Sequence, residues 1–172
     1  CIYAPFAYII PEYDQPSTYE PLPESATQTY ALFGDIAMVG YDVPIQRWTG
    51  GDEIPVTLYW QPQAQSDVDL TLFLSLIDMR GDSIVTLDSY PGWGSLRTTR
   101  WQPDTIYADT YILQPLPETG GFGQVQLQVG WYEYPDGSDI LPILENGQEA
   151  LTYTTPAGVY INEPTAQPIT DE

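Results

Sequence analysis

Phe33-Gly-Asp-Ile-Ala-Met-Val-Gly-Tyr-Asp-Val43 and Gly51-Asp-Glu-Ile-Pro-Val-Thr-Leu-Tyr-Trp60 decide the fold of this chain. They read as two short strands with a turn between them. In the second, Val56, Leu58 and Trp60 alternate with Thr57 and Tyr59, the spacing a pleated strand needs to bury one face. The same period recurs downstream. Leu70, Leu72, Leu74 and Leu76 alternate with Thr71, Phe73, Ser75 and Ile77; both faces are largely apolar, which predicts a strand inside its sheet. Val125, Leu127, Val129 and Trp131 alternate with Gln126, Gln128, Gly130 and Tyr132, which predicts one core face and one wet face.

Shorter strand-like runs lie at 84–88, 106–113, 140–144 and 158–161. Turn signals separate them at Arg80-Gly81-Asp82, Pro135-Asp136-Gly137 and Glu145-Asn146-Gly147. No window carries sustained helical periodicity with caps. The pattern predicts an all-β fold, an antiparallel two-sheet sandwich of immunoglobulin-like type, with a jelly roll as the competing architecture. Trp60, Leu72, Leu74, Leu76, Leu127, Val129 and Trp131 are the expected core, and the connection 89–101 is expected to cross between the sheets. The sandwich is placed at 32–162. Before it, 1–31 reads as a membrane-proximal segment and a Pro-rich connector without secondary structure. After it, 163–172 reads as a flexible tail.

The chain has 24 acidic residues against four bases, Arg47, Arg80, Arg97 and Arg100, with no Lys and no His, for a formal charge of −20. Such a surface repels phosphate backbones and anionic headgroups, which argues against a nucleic-acid partner. The scarcity of bases near the start also fits the outer side of a membrane, since basic residues favour the cytoplasmic side. Cys1 is the single cysteine, so an intrachain disulfide is excluded. Its position suggests either a lipidated N-terminal cysteine or a segment that follows a transmembrane helix. Residues 2–10 are apolar but too short to span a bilayer, which takes about 20 residues. Their aromatics, Tyr3, Phe6 and Tyr8, are of the interfacial kind. The expected location is therefore extracytoplasmic and membrane-anchored, with the membrane part of the same polypeptide, or a membrane complex, as partner.

Without His, a Ser/His or Cys/His nucleophile cannot be built, and no catalytic residue is assigned. Asp78-Met-Arg-Gly-Asp82 and Asp136-Gly-Ser-Asp139 place oxygen ligands on Gly-containing turns, so Asp78, Asp82, Asp136 and Asp139 are candidate Ca²⁺ ligands. Asp-Gly turns are equally ordinary hairpin chemistry. The loop Tyr90-Pro-Gly-Trp-Gly-Ser-Leu-Arg97 offers an aromatic face flanked by hydrogen-bonding groups, on which a sugar ring could stack. Tyr90, Trp93, Arg97 and Arg100 are therefore the candidate glycan contacts. The bland reading of Trp93 is a loop tryptophan that covers the core edge.

Several signatures together resemble a known family. They are Tyr3-Ala-Pro-Phe-Ala-Tyr8 with the Pro-rich stretch after it, Phe33-Gly-Asp35, Val39-Gly-Tyr-Asp42, Gly51-Asp52 and Val56-Thr-Leu-Tyr-Trp60. Arg100-Trp-Gln-Pro103 followed by Asp109, and Gly130-Trp-Tyr132 followed by Asp136-Gly137, complete the set. The chain is similar to the extracytoplasmic C-terminal β-sandwich of bacterial multi-spanning glycosyltransferases of the dolichyl-phosphate-mannose protein mannosyltransferase-like kind. That resemblance implies a non-catalytic module, because the family's catalytic acids lie in the membrane part. It implies contact with glycan or acceptor, or packing on the membrane part. The alternative reading is a lipid-anchored surface protein acting as a subunit of a larger assembly.

Overall fold

The structure is a computed structural model that describes residues 17–19, 21–44, 47–119, 123–155 and 159–162. Among the described residues, thirteen strands run in chain order: β1 (Ser17–Tyr19), β2 (Thr27–Phe33), β3 (Ile36–Asp42), β4 (Arg47–Thr49), β5 (Ile54–Pro62), β6 (Leu70–Ile77), β7 (Ser83–Ser89), β8 (Ile106–Leu113), β9 (Gly123–Glu133), β10 (Ser138–Ile140), β11 (Pro142–Leu144), β12 (Tyr153–Thr154) and β13 (Val159–Asn162). They form the expected two-sheet sandwich. The first sheet has the order β1-β8-β5-β3-β2-β11, and the second the order β4-β13-β9-β6-β7, with β10 and β12 also paired to β9. Neighbours are antiparallel except β13 and β4, which run parallel.

The alternation seen in the sequence sets which face is buried. Ile54, Val56, Leu58 and Trp60 of β5, Leu70 to Leu76 at every second position of β6, and Val125, Leu127, Val129 and Trp131 of β9 all point between the sheets. All seven expected core residues are buried. Three tryptophans anchor the centre. Trp60 meets Trp131 edge to face at 4.9 Å, and Trp101 meets Trp131 at 87° while stacking on Tyr107 at 4.9 Å. Edge-to-face contact sets the positive rim of one ring against the negative face of the next, adding specificity to the area each ring removes from water.

β6 lies between β9 and β7, as two apolar faces require. β9 is central too, but in an unusual way. One edge pairs along its length with β6, and the other is completed in pieces by β10, β12 and β13. Thr155 bridges the gap between the last two: its N–H donates to Leu127 O at 2.9 Å and its Oγ1 accepts from Leu127 N–H at 3.1 Å. The connection 89–101 does cross, from β7 in the second sheet to β8 in the first.

Three features differ from the expectation. The stretch 33–43 is not one strand: Gly34, with φ of 57°, closes a two-residue turn between β2 and β3, pairing Phe33 with Ile36. Strand structure also reaches back before residue 32. β2 begins at Thr27, and β1 pairs with β8 inside the segment read as connector. Polar Thr-Gln-Thr hid that half of β2, whose residues 27–30 are exposed or half-buried. Finally, the piece at 140–144 is two strands in different sheets, because the chain changes sheet at Leu141. No helix among the described residues is long and apolar enough to cross a membrane. Cys1, the segment 2–10 and the tail 163–172 lie outside the described residues.

Candidate functional site

The outer face of the second sheet carries the site. On β9 that face shows Gln124, Gln126, Gln128, Gly130 and Tyr132 in succession. Antiparallel register places Phe73 beside Gly130 and Thr71 beside Tyr132, and sets Asp139 of β10 beside Tyr132 on the other flank. One strand further out, Asp88 of β7 stands opposite Phe73. Because Gly130 has no side chain, this grid of side chains has a gap in it. A groove of about 390 Å³ opens there, with Phe73, Gly130 and Tyr132 as its base and Asp139, Leu151 and Thr152 among its walls. Leu151 is 80% exposed at the rim.

Tyr132 is influenced across the sheet. The Asp88 carboxylate, two strands away on β7, is close enough to act on its phenol. Partial burial, and then the negative charge of Asp88, raise the phenol above its usual range. It is therefore a neutral ring at physiological pH.

The predicted glycan contacts are only partly brought together. Tyr90 and Arg97 meet, the guanidinium sitting 5.0 Å from the ring centroid. Arg97 is also committed to Asp69, at 3.0 Å. The Asp69 carboxyl is opposed by burial, yet bonds from Thr99 and Arg97 outweigh this and hold it below the usual carboxylate range. Trp93 has a different neighbour, the buried Tyr111 of β8, at 6.1 Å and a 48° tilt. It is 44% exposed, so it covers the sandwich edge and keeps one face in water. Arg100 is exposed at the end of a short 3₁₀ turn, Thr98–Arg100.

The Trp93 loop is pinned from below by a buried acid. Gly92 and Trp93 have φ of 56° and 54°, a region costly for tryptophan. Gly92 N–H donates to Asp109 Oδ2 at 2.8 Å, and the Tyr111 hydroxyl donates to the same oxygen at 2.5 Å. Asp109 is on the core-facing side of β8 and only 3% exposed. Burial raises its carboxyl above the usual range, against the opposing effect of those two donors and Thr110 N–H. Tyr111 is raised well above its ordinary value, by burial first and then by Asp109, so it remains a proton donor.

The candidate Ca²⁺ turns have other occupations. Asp78 is buried, and its carboxylate accepts from Arg80 N–H at 2.8 Å, Asp82 N–H at 2.9 Å and Arg80 Nε at 3.0 Å. Those donors fill the lone pairs a cation would use. Burial opposes ionisation of Asp78, but the bonds from Asp82 and Arg80 prevail and lower its pKa. Asp136 is exposed in the turn before β10, while Asp139 lines the groove. Among the described residues, no group of three or more His, Cys, Asp or Glu is placed to hold a metal, whereas Ca²⁺ takes about 6–8 oxygens.

Phe73, Gly130 and the rim residue Leu151 were not singled out from sequence. One signal could have found them: the polar outward row of β9 is broken by a glycine at 130 in mid-strand.

No protein-family model matches the chain, and no curated protein matches it. Among solved structures, the C-terminal domain of Wzt is similar, with a TM-score of 0.53 and 10% identity over 86% of each chain. At that identity the likeness is one of fold. The mannosyltransferase-like resemblance gains no family match, and what stands is the β-rich sandwich scaffold.

Proposed function

We propose that this chain is a non-catalytic glycan-contacting sandwich, and that it serves as the extracytoplasmic module of a membrane glycosyltransferase. The observation that carries the glycan reading is the groove of about 390 Å³ on the outer face of the second sheet, lined by Phe73 and Tyr132 and edged by Asp139. Sugar rings present axial C–H groups to aromatic faces and hydroxyls to carboxylates, so an aromatic floor with a carboxylate edge matches both. The non-catalytic reading rests on the groove lining, which contributes one carboxylate, Asp139. Glycoside hydrolysis commonly needs two, flanking the bond. The membrane context rests on the sequence resemblance and on the interfacial aromatics of residues 2–10.

Binding is tested by adding neutral oligosaccharides to the whole chain while following tryptophan fluorescence and heat. Trp131 is among the residues that line the groove, and it is buried. Phe73→Ala should abolish the response with the fold retained, whereas Trp93→Ala should leave it intact. A response lost in Trp93→Ala and kept in Phe73→Ala would move the site to the 90–97 loop. Silence across a broad glycan array would end the glycan reading.

A further inference from the structure

Resting on the glycan reading, we infer that Gly130 is a specificity-determining residue: its missing side chain seats an uncharged sugar ring, and Asp139 at the edge of that seat turns acidic sugars away. Glycine in a strand interior weakens the strand, so its presence needs a reason. The usual reasons are a left-handed backbone, a bulge, or a neighbour too close to admit a Cβ. None applies at Gly130. Its φ lies outside the left-handed range, and a Cβ there would meet Phe73 Cδ1 and Thr152 Cγ2 at 3.7 Å each, an ordinary contact distance. The β6–β9 ladder runs through it without a register shift, from Leu70↔Glu133 to Ile77↔Gln126.

Gly50 provides the contrast. A Cβ at that position would lie 2.4 Å from Thr119 O and 2.6 Å from Leu116 O, so the fold itself demands glycine. At Gly130 the fold does not. What a side chain would remove is the open space between Phe73 and Thr152, which is the groove.

Charge decides the class of ring. Asp139 lines the groove, and the Asp88 charge acts on the phenol of Tyr132, which also lines it. The groove lining holds no base, and Arg97 of the neighbouring 90–97 loop is engaged by Asp69. A carboxylate or phosphate on the sugar would enter a field of like charge with no cation in the groove lining. An uncharged sugar instead offers hydroxyl donors to Asp139, which can only accept.

The test uses the whole chain and its Gly130→Val, Gly130→Ala and Asp139→Asn variants. The probes are mannotriose, cellotriose and triacetylchitotriose against trigalacturonate, read by calorimetry with thermal unfolding in parallel. The wild type should bind at least one neutral trisaccharide, with trigalacturonate weaker by about tenfold or more, a gap of about 1.4 kcal/mol. Gly130→Val should lose the neutral sugar by at least about tenfold, with the unfolding temperature unchanged or raised. Gly130→Ala should weaken binding less, and it guards against a valine variant that misfolds. Asp139→Asn should narrow the gap between neutral and acidic probes.

Unchanged binding in Gly130→Val, or a lowered unfolding temperature in Gly130→Ala, would overturn the role of Gly130. Equal affinity for trigalacturonate would overturn the charge selection and leave the glycan reading standing. No response to any probe would remove both. Binding that emerges only after residues 163–172 are deleted would make the chain's own tail the occupant, and the inference would fall.

Discussion

Asp109 gives the sharpest stability test, because one buried oxygen serves two donors. Replacing it with Ala removes the acceptor of Gly92 N–H and of the Tyr111 hydroxyl, at 2.8 and 2.5 Å. A buried donor left without a partner costs roughly 1–3 kcal/mol. Two of them would cost about 2–6 kcal/mol, from which the relief of removing a buried carboxylate must be subtracted, so a net loss of about 2–4 kcal/mol is expected. For a chain of this size that lowers the unfolding temperature by roughly 5–15 °C. Asp109→Asn is the control: its amide oxygen can accept from both donors without charge, and it should stay within about 1 kcal/mol of the wild type.

The sign of the pH dependence follows from burial. The folded pKa of Asp109 is raised above its unfolded value near 3.8, so in that window the folded chain binds the extra proton. Stability attributable to Asp109 is full below pH 3.8 and declines as pH rises through the folded pKa. The wild type should therefore lose ground to Asp109→Asn as pH rises through that window. Thermal and urea unfolding across pH, with Trp93 fluorescence as a local reporter beside Tyr111, would measure both effects. An Ala variant within about 0.5 kcal/mol of wild type (the scatter of ordinary surface substitutions), or a wild type that gains on Asp109→Asn as pH rises, would refute the reasoning.

Other outcomes follow from the same geometry. Gly50→Ala should destabilise strongly, since its Cβ would lie within 2.8 Å of three carbonyl oxygens of 116–119; denaturant midpoints would show it. Asp78→Asn should weaken the chain at neutral pH, and the difference should vanish as pH falls below 3.8 through the lowered folded pKa; unfolding temperatures at pH 7 and pH 3 measure it. Trp93→Ala should cost about 1 kcal/mol or less, because the side chain is 44% exposed and its ring meets Tyr111 at 6.1 Å. Ca²⁺ and EDTA should leave the unfolding temperature unchanged, as the Asp78 oxygens are already taken by Arg80 and Asp82.

The sandwich was legible because burial in a strand is written at every second residue, and β5, β6 and β9 each carry that period for eight or more residues. Length made them readable. β4, β10, β11 and β12 have only two or three residues each, too few for a period to show, and their pairing is fixed by the long strands they dock on. The hairpin at Gly34-Asp35 was hidden for another reason: Phe33 and Ile36 are both buried, so the apolar signal runs through the turn.

The site was less legible because two kinds of aromatic look alike in a sequence. Trp93, flanked by glycines, has the composition of an exposed platform, yet Asp109 draws its loop down onto Tyr111 from seventeen residues away. Tyr132 belongs to an alternating strand and reads as simple wet-face decoration. It becomes a candidate platform only when β7 brings Asp88 beside it and β10 brings Asp139. Binding chemistry on a sheet face is a property of rows that run across strands, whereas sequence reports only along them. Gly130 is where the two directions meet. It is the one break in the outward row of β9, and across the strands it leaves space beside Phe73 in the groove. A ligand seated there would touch Phe73, Tyr132 and Asp139, on three different strands. Affinity should therefore track the register of β6, β9 and β10 more closely than the conformation of any loop.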